Sequence, residues 1–237
     1  MAWTLITGGA KGLGAQLCYT LAELKLPVAV HYNKSALEAF ETVEKCRDLG
    51  GEAAAIQGDF STTESTLDFL QRYQLEFADT KNLINNVGNY LIRSAVQTET
   101  NEWISLFQTN LHTPFILTKH LIPSLVRLKG HIINIGISGL ETRQARTYST
   151  AYTLAKECLL SLTRALAYEL APKGVKVNMI SPGYLDISVQ QPAPYQLPMG
   201  RTATCGEVCR VLTFLLDPES AYLTGQNIEV AGGVGLK

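Results

Sequence analysis

A glycine-rich turn stands between the first apolar run and the first amphipathic stretch of the chain. Glycine lets a backbone turn tightly, and it lets a pyrophosphate approach the free N–H groups at the start of the next helix. An ordinary strand-to-helix turn can have a similar composition, but this spacing in this context favours dinucleotide binding. The turn therefore predicts an α/β fold that begins with a strand, a phosphate-binding turn and a helix. The residues that we expect to line the cofactor here are Thr7, Gly8, Lys11, Gly12, Leu13 and Gly14.

Short apolar runs alternate with longer amphipathic stretches from end to end, which is typical of a parallel sheet wrapped by helices. The predicted strands are 3–7, 28–32, 53–57, 82–85, 131–135, 175–181 and 227–230. The predicted helices are 13–24, 35–49, 63–77, 100–128, 151–171 and 205–216. We therefore expect a single domain, residues 1–237, with a doubly wound (Rossmann-type) central parallel sheet of about seven strands flanked by helices.

Composition and charge exclude several classes of protein. Hydrophobic residues make up 46% of the chain and charged residues 17%, which favours a folded globule over a disordered chain. A net charge of -1 gives no reason to expect nucleic acid or an acidic membrane surface as partner, and no apolar run is long enough to span a bilayer. Scattered cysteines and the lack of a basic region before the glycine turn predict reduced thiols and a cytoplasmic protein. Four histidines without a ligand spacing predict no metal site.

Tyr152 and Lys156 lie one helical turn apart, so we expect both side chains on the same face of a helix. A nearby ammonium favours the phenolate, and we therefore expect Lys156 to lower the pKa of Tyr152 from its ordinary value of about 10. Such a phenol can act as a general acid when a carbonyl group is reduced. Such a pair occurs by chance in many chains. It indicates a catalytic site here because the chain also has Ser138 and the glycine turn.

The end of the second predicted strand indicates which cofactor the chain binds. A ribose 2′-hydroxyl is usually held by an acidic residue about twenty positions after the glycines, whereas a 2′-phosphate requires positive charge. Here the strand is followed by Asn33, Lys34 and Ser35, and no acid occurs until Glu38. Because Lys34, Ser35 and the turn residue Lys11 can hold a phosphate, the predicted cofactor is NADP(H).

Further motifs follow in order along the chain: N-N-V-G at 85–88, an asparagine at 110, a serine at 138 and P-G at 182–183. With the glycine turn and the Tyr–Lys pair, they make the chain resemble the short-chain dehydrogenase/reductase family over nearly its whole length. The resemblance implies a homotetramer or homodimer built by pairing the helices at 100–128 and 151–171. The further cofactor residues that it implies are Asp59, Phe60, Asn86, Val87, Gly88, Tyr152, Lys156, Pro182 and Gly183.

The resemblance also implies four catalytic roles. Ser138 would polarise the substrate carbonyl, and Tyr152 would protonate the developing alkoxide. Lys156 would hold the nicotinamide ribose, and Asn110 would position a water in a proton relay. The chain departs from the family where Ile187 replaces a threonine that contacts the nicotinamide amide. It also departs at three other places: Val87 replaces an alanine, Ala231 replaces an aspartate, and the segment between Gly183 and Gly200 is short.

Two substrate classes compete for the expected NADPH-dependent reduction of a carbonyl group. The favoured one is a 3-oxoacyl thioester, as in the 3-oxoacyl-acyl-carrier-protein reductases of fatty acid synthesis. Pteridine reductases are the alternative, because residues 31–39 resemble their second-strand segment, although those enzymes commonly carry Asp in place of Ser138. A cofactor-binding regulatory protein without turnover is a remote third alternative, since all catalytic residues are retained.

Two surface features bear on the substrate. Arg143 and Arg146 could contact the phosphate and acidic surface of a carrier protein, or could be solvated arginines of a loop. The Pro- and Gln-rich stretch 190–198 follows the P-G turn. We interpret it as a mobile loop over the site, because ligands bind at the carboxyl ends of parallel strands.

Overall fold

A computed structural model of the protein describes residues 1–142, 145–188 and 190–236. Within these ranges seven strands form one parallel sheet in the order β3-β2-β1-β4-β5-β6-β7. The strands are β1 (Trp3–Ile6), β2 (Val28–Tyr32), β3 (Ala53–Gln57), β4 (Thr80–Asn85), β5 (His131–Ile135), β6 (Lys176–Pro182) and β7 (Asn227–Val230). The strand order reverses between β1 and β4, and such a switch point leaves a ligand-binding crevice at the carboxyl ends of the strands. The predicted doubly wound parallel sheet is confirmed.

Helices cover both faces of the sheet. They are α1 (Gly12–Glu23), α2 (Ala36–Asp48), α3 (Thr63–Glu76), α4 (Thr100–Phe107), α5 (Thr113–Arg127), α6 (Thr150–Leu170) and α7 (Cys205–Leu216). Successive strand residues point to opposite faces, so that Leu5 packs with α3, α5 and α6 while Ile6 packs with α1, α2 and α7. Because both faces are buried, the strands have the continuous apolar runs found in the sequence.

The prediction of one continuous helix over 100–128 is wrong in one respect. A π-helical turn, Gln108–His112, separates α4 from α5. Inside this turn the Asn110 amide donates to the carbonyl of Leu106 at 3.0 Å and to that of Asn89 at 2.9 Å. Single π-turns of this kind occur frequently at functional sites, and hydrophobic periodicity does not reveal them. The other helix and strand ends agree with the prediction to within two residues.

Helices α4, α5 and α6 keep large apolar side chains at the surface, among them Ile104, Phe115 and Leu154. Burying such side chains between chains would be favourable, and the predicted pairing of these helices stays a prediction. No helix within the described ranges has the length and apolar character needed to cross a membrane. In the same ranges no three His, Cys, Asp or Glu side chains cluster in a way that could hold a metal ion.

Candidate active site

Thr7 joins the glycine turn to the end of β4. Its hydroxyl accepts the N–H groups of Asn86 at 2.9 Å and Val87 at 3.0 Å, and it donates to the carbonyl of Ile84 at 3.3 Å. The Asn86 amide in turn donates to the carbonyls of Thr7 at 3.0 Å and Gly8 at 3.2 Å. Direct bonds therefore bring together four of the predicted cofactor residues, which come from two strands that meet at the switch point.

The start of α1 is left open for an anion. Gly14 lies so close to the carbonyl oxygen of Gly8 that a Cβ at this position would overlap it, and the turn therefore requires glycine here. Lys11 is the N-cap residue and makes no side-chain cap bond, so no side chain of the cap occupies the first N–H groups of the helix. These groups fit the pyrophosphate that the turn predicts. Ile187 extends over this turn, with its Cδ1 3.3 Å from the position that a Cβ of Gly12 would take.

His31 ties the glycine turn to β2 and β3, a role that the sequence did not reveal. Its Nδ1 accepts the N–H of Gly8 at 3.0 Å, and its Nε2 lies 3.2 Å from the carbonyl of Gly58. The N–H of Gly9 donates to the His31 carbonyl at 2.8 Å. Burial lowers the pKa of His31 to about 4, so the ring is neutral near pH 7. Because Nδ1 accepts, the proton is assigned to Nε2, which donates to Gly58.

Three groups predicted to hold a 2′-phosphate lie at the carboxyl edge of the sheet. Lys11 and Lys34 are exposed, and neither forms an ion pair with any residue that the structure describes. Ser35 is the N-cap of α2, and its hydroxyl makes no cap bond. Two ammonium groups, a hydroxyl and a helix N-terminus without a side-chain cap fit a phosphate.

Asp59 and Phe60, two of the further cofactor residues that the resemblance implies, lie in different surroundings. Asp59 accepts the backbone N–H of Ser61 at 3.0 Å and its hydroxyl at 2.8 Å, and the Asn33 amide lies 3.4 Å from the same carboxylate. Phe60 is buried, and its ring stacks on His31 with 4.2 Å between ring centroids. The ring of Phe60 thus belongs to the apolar core, and the predicted contact of this residue with the cofactor stays a prediction.

Tyr152 and Lys156 share one face of α6, but their electrostatics differ from the prediction. Lys156 Nζ donates to the carbonyl of Ile135 at 2.8 Å and lies 5.7 Å from the centroid of the Tyr152 ring. Burial lowers the pKa of Lys156 to about 8. Burial, with a smaller contribution from Tyr90, raises the pKa of Tyr152 above its ordinary value. The predicted lowering of the Tyr152 pKa is wrong here, because desolvation outweighs an ammonium directed at a backbone carbonyl.

Asn110 and Lys156 both lie close to Gly88. The Oδ1 atom of Asn110 is buried and has no hydrogen-bond partner among the described residues. A Cβ on Gly88 would lie 2.5 Å from this oxygen and 3.4 Å from Lys156 Nζ. An unpaired buried acceptor and a buried ammonium beside the same glycine are groups that a water could hydrogen-bond, and a water is what the resemblance implied for Asn110.

Ser138 follows β5 and is held by its backbone N–H, which donates to the carbonyl of Pro182 at 3.0 Å. Gly183 continues from Pro182 and donates to the carbonyl of Val230 at 3.0 Å. Arg146 was expected either at a carrier-protein contact or solvated, but its guanidinium donates to the carbonyl of Gly139 at 2.8 Å. The other predicted docking residue, Arg143, lies outside the described residues.

Two tyrosines near the start of α6, Tyr90 and Tyr148, were not identified by any motif in the sequence. The ring of Tyr90 meets that of Tyr152 edge-to-face, with 4.8 Å between centroids and an interplanar angle of 81°. The hydroxyl of Tyr148 donates to the Gln190 side chain at 2.7 Å. This bond places the start of the 190–198 stretch beside the segment that leads into α6, and a short 3-10 helix, Pro194–Gln196, follows.

Comparison with known proteins agrees with this geometry. The sequence matches the family described as enoyl-(acyl carrier protein) reductase over residues 8–235. The 3-oxoacyl-acyl-carrier-protein reductase of Pseudomonas aeruginosa is 29% identical over 97% of this chain and 96% of its own length. Two solved structures have the same fold. Acetoin dehydrogenase from Salmonella typhimurium has a TM-score of 0.90 at 24% identity, covering 99% of this chain and 96% of that one. Blue fluorescent protein from a metagenomic library, in complex with NADPH, has a TM-score of 0.89 at 26% identity, covering 98% and 97%.

The His31 contacts generate a prediction about stability and pH. The pKa of His31 is about 4 in the folded chain and 6.5 when unperturbed, so the unfolded state binds more protons between these values. Folding stability therefore falls as pH decreases through this window, and His31 contributes about 2 kcal/mol of that loss between pH 7 and about pH 4.5. In His31→Gln this part of the pH dependence is expected to disappear. Urea unfolding of both proteins at the two pH values measures it, and equal losses would contradict the assignment.

Proposed function

The chain belongs to the short-chain dehydrogenase/reductase family, and we propose that it reduces the carbonyl group of a 3-oxoacyl thioester to an alcohol with NADPH. The observation that carries the proposal is the position of Lys156, whose Nζ lies 5.7 Å from the centroid of the Tyr152 ring and which shares the surroundings of Gly88 with the unpaired Asn110 oxygen. Ser138 lies at the end of the adjacent strand β5. Together these groups can orient a carbonyl and protonate its oxygen.

NADPH, when bound, supplies the hydride. Ser138 donates a hydrogen bond to the carbonyl oxygen, and Tyr152 transfers its proton to the alkoxide that forms there. The phenol of Tyr152 is protonated at neutral pH, as a proton donor in the reductive direction requires. Lys156 and a water held by the Asn110 oxygen return a proton to Tyr152. Lys156 would also hold the nicotinamide ribose.

The preference for NADPH over NADH rests on charge. Lys11 and Lys34 are exposed without ion-pair partners in the described part of the chain, and Ser35 adds a hydroxyl at the start of α2. No carboxylate follows β2 until Glu38. A similar structure, the 26% identical blue fluorescent protein, is in complex with NADPH, which supports the same cofactor here.

The substrate class rests on the intact catalytic set and on relatives. The reductase from Pseudomonas aeruginosa acts, by its name, on a 3-oxoacyl group of a carrier protein. One observation favours a second candidate, a pterin: the Tyr90 ring beside Tyr152 offers an aromatic surface on which a planar ring can stack. The thioester remains the first choice, because Ser138 supplies a neutral donor suited to a ketone oxygen.

Lys34→Asp tests the choice of cofactor. It replaces an attraction for the 2′-phosphate with a repulsion, and charge-assisted hydrogen bonds contribute about 1.5–3 kcal/mol each. NADPH affinity is therefore expected to fall at least about tenfold, while NADH affinity changes little. Fluorescence titration with both nucleotides measures this, and Lys173→Asp, at the opposite edge of the sheet, is the control. Tighter binding of NADH than of NADPH by the native chain would contradict the cofactor assignment.

Tyr152→Phe tests the proton donor. The variant is expected to lose about 10²–10⁴-fold in kcat, the range of general acid catalysis, and to keep its NADPH affinity. Tyr168→Phe, on the exposed face of the same helix, is the matched control and is expected to retain native turnover. Single-turnover NADPH oxidation with acetoacetyl thioester measures the chemical step. The proposed mechanism fails if Tyr152→Phe turns over at a near-native rate.

The substrate is tested by comparing kcat/KM for acetoacetyl thioester and for dihydrobiopterin at one NADPH concentration. The thioester is expected to be reduced faster. A kcat/KM ten times higher for the pterin would overturn this choice, and Tyr90 would then be the residue to test. Tyr90→Leu then provides a discriminating variant, since removal of the ring is expected to harm a stacked pterin more than a flexible thioester. Reduction of neither compound would reject both candidates.

A further inference from the structure

The chain makes a left-handed turn directly after Ser138, and charged side chains hold this turn from two sides. Gly139 has a φ of 75°, a conformation that glycine adopts readily. Its N–H donates to Glu229 Oε1 of β7 at 2.7 Å. Its carbonyl accepts from Arg146 Nη2 at 2.8 Å. A Cβ on Gly139 would overlap this guanidinium, so Arg146 packs directly on the turn.

Arg146 also contacts the helix that carries Tyr152. Its backbone carbonyl accepts the hydroxyl of Thr150 at 2.9 Å, and Thr150 is the first residue of α6. The same residue therefore binds the turn after Ser138 with its side chain and the start of α6 with its backbone. Tyr152 lies two residues further along this helix. Arg146 thus connects the two segments that carry the proposed carbonyl-binding groups.

Strand β7 anchors the other end of the turn. Asn227 accepts the Ser181 hydroxyl at 2.6 Å, and its amide donates to the Glu141 carboxylate at 3.3 Å. The Thr142 hydroxyl donates to the Gly139 carbonyl at 2.8 Å. Side chains of β7 and of the segment before α6 therefore fix both ends of residues 139–142.

We propose that Glu229 and Arg146 are positioning residues that hold the Ser138 turn against the start of α6, so that the Ser138 hydroxyl and the Tyr152 phenol meet the same carbonyl oxygen. This inference rests on the proposed function, because the alignment of these two groups matters only if a carbonyl is reduced there. The Gly139 N–H requires an acceptor and not a full negative charge. Glutamine at position 229 can supply that acceptor, whereas alanine cannot.

The kinetic test compares Glu229→Ala with Glu229→Gln. Glu229→Ala is expected to lower kcat/KM for acetoacetyl thioester at least about tenfold, because small misplacements of reacting groups are costly. Glu229→Gln is expected to stay within about threefold of native, and NADPH affinity is expected to be unchanged in both. Glu76→Ala, at the exposed end of α3, is the control. A loss of equal size in the Gln and Ala variants would overturn the positioning role.

A double-mutant cycle with Ser138→Ala separates positioning from general destabilisation. If Glu229 acts through Ser138, then Glu229→Ala lowers turnover little further in the Ser138→Ala background. Fully additive losses would overturn the proposal.

Hydrogen exchange gives a measurement that does not depend on activity. Amides of residues 136–142 are expected to exchange faster in Glu229→Ala and at the native rate in Glu229→Gln. Unchanged exchange in Glu229→Ala would overturn the proposal that Glu229 holds the Ser138 turn, whatever substrate the enzyme reduces. If exchange is faster in Glu229→Ala but the native enzyme reduces no thioester, the positioning role of Glu229 is supported and the proposed substrate is contradicted.

Discussion

The contact on which the site depends is the Thr7 hydroxyl between the ends of β1 and β4. These strands are neighbours in the sheet but are separated by 77 residues between Thr7 and Ile84. One hydroxyl satisfies two backbone N–H groups and reaches one carbonyl, so it fixes the turn after β4 against the glycine turn. The switch point alone would leave an open crevice. The bonds of Thr7 and Asn86 hold the glycine turn in a fixed position relative to the segment that follows β4.

Burial shifts the pKa values of two of the proposed catalytic groups. Burial lowers the pKa of Lys156, and it raises the pKa of Tyr152. The Asn110 oxygen is buried without a partner among the described residues. The buried ammonium and the unpaired oxygen cost folding free energy, and the two apolar clusters on either side of the sheet offset that cost. Such groups are what a proton-transfer site requires, and perturbed pKa values concentrate at such sites.

The site divides into a part set by the sheet and a part set by loops. The glycine turn, Asn110 and Lys156 are attached to strand ends or to long helices, and they are the residues that match the family motifs. Tyr90, Tyr148 and Gln190 come from connecting segments: Tyr90 contacts Tyr152, and Tyr148 bonds to Gln190. Cofactor chemistry therefore follows from the scaffold, whereas substrate preference depends on side chains whose arrangement varies with the loops.

Periodicity along the chain was sufficient to predict the seven-stranded sheet, most element ends and the Tyr152–Lys156 face, because these depend on residues a few positions apart. Glycine spacing likewise predicted the turn, since it reflects local backbone geometry. Tertiary structure decided three features: the π-turn at Asn110, the His31 bond to Gly8 and the Arg146 bond to the Gly139 carbonyl. It also decided the pKa of Tyr152, where the predicted effect of Lys156 proved smaller than that of burial. Gly139 and Glu229, 90 residues apart, illustrate the physical reason: a hydrogen bond or a desolvation depends on which distant atoms become neighbours, and that information exists only once the chain has folded.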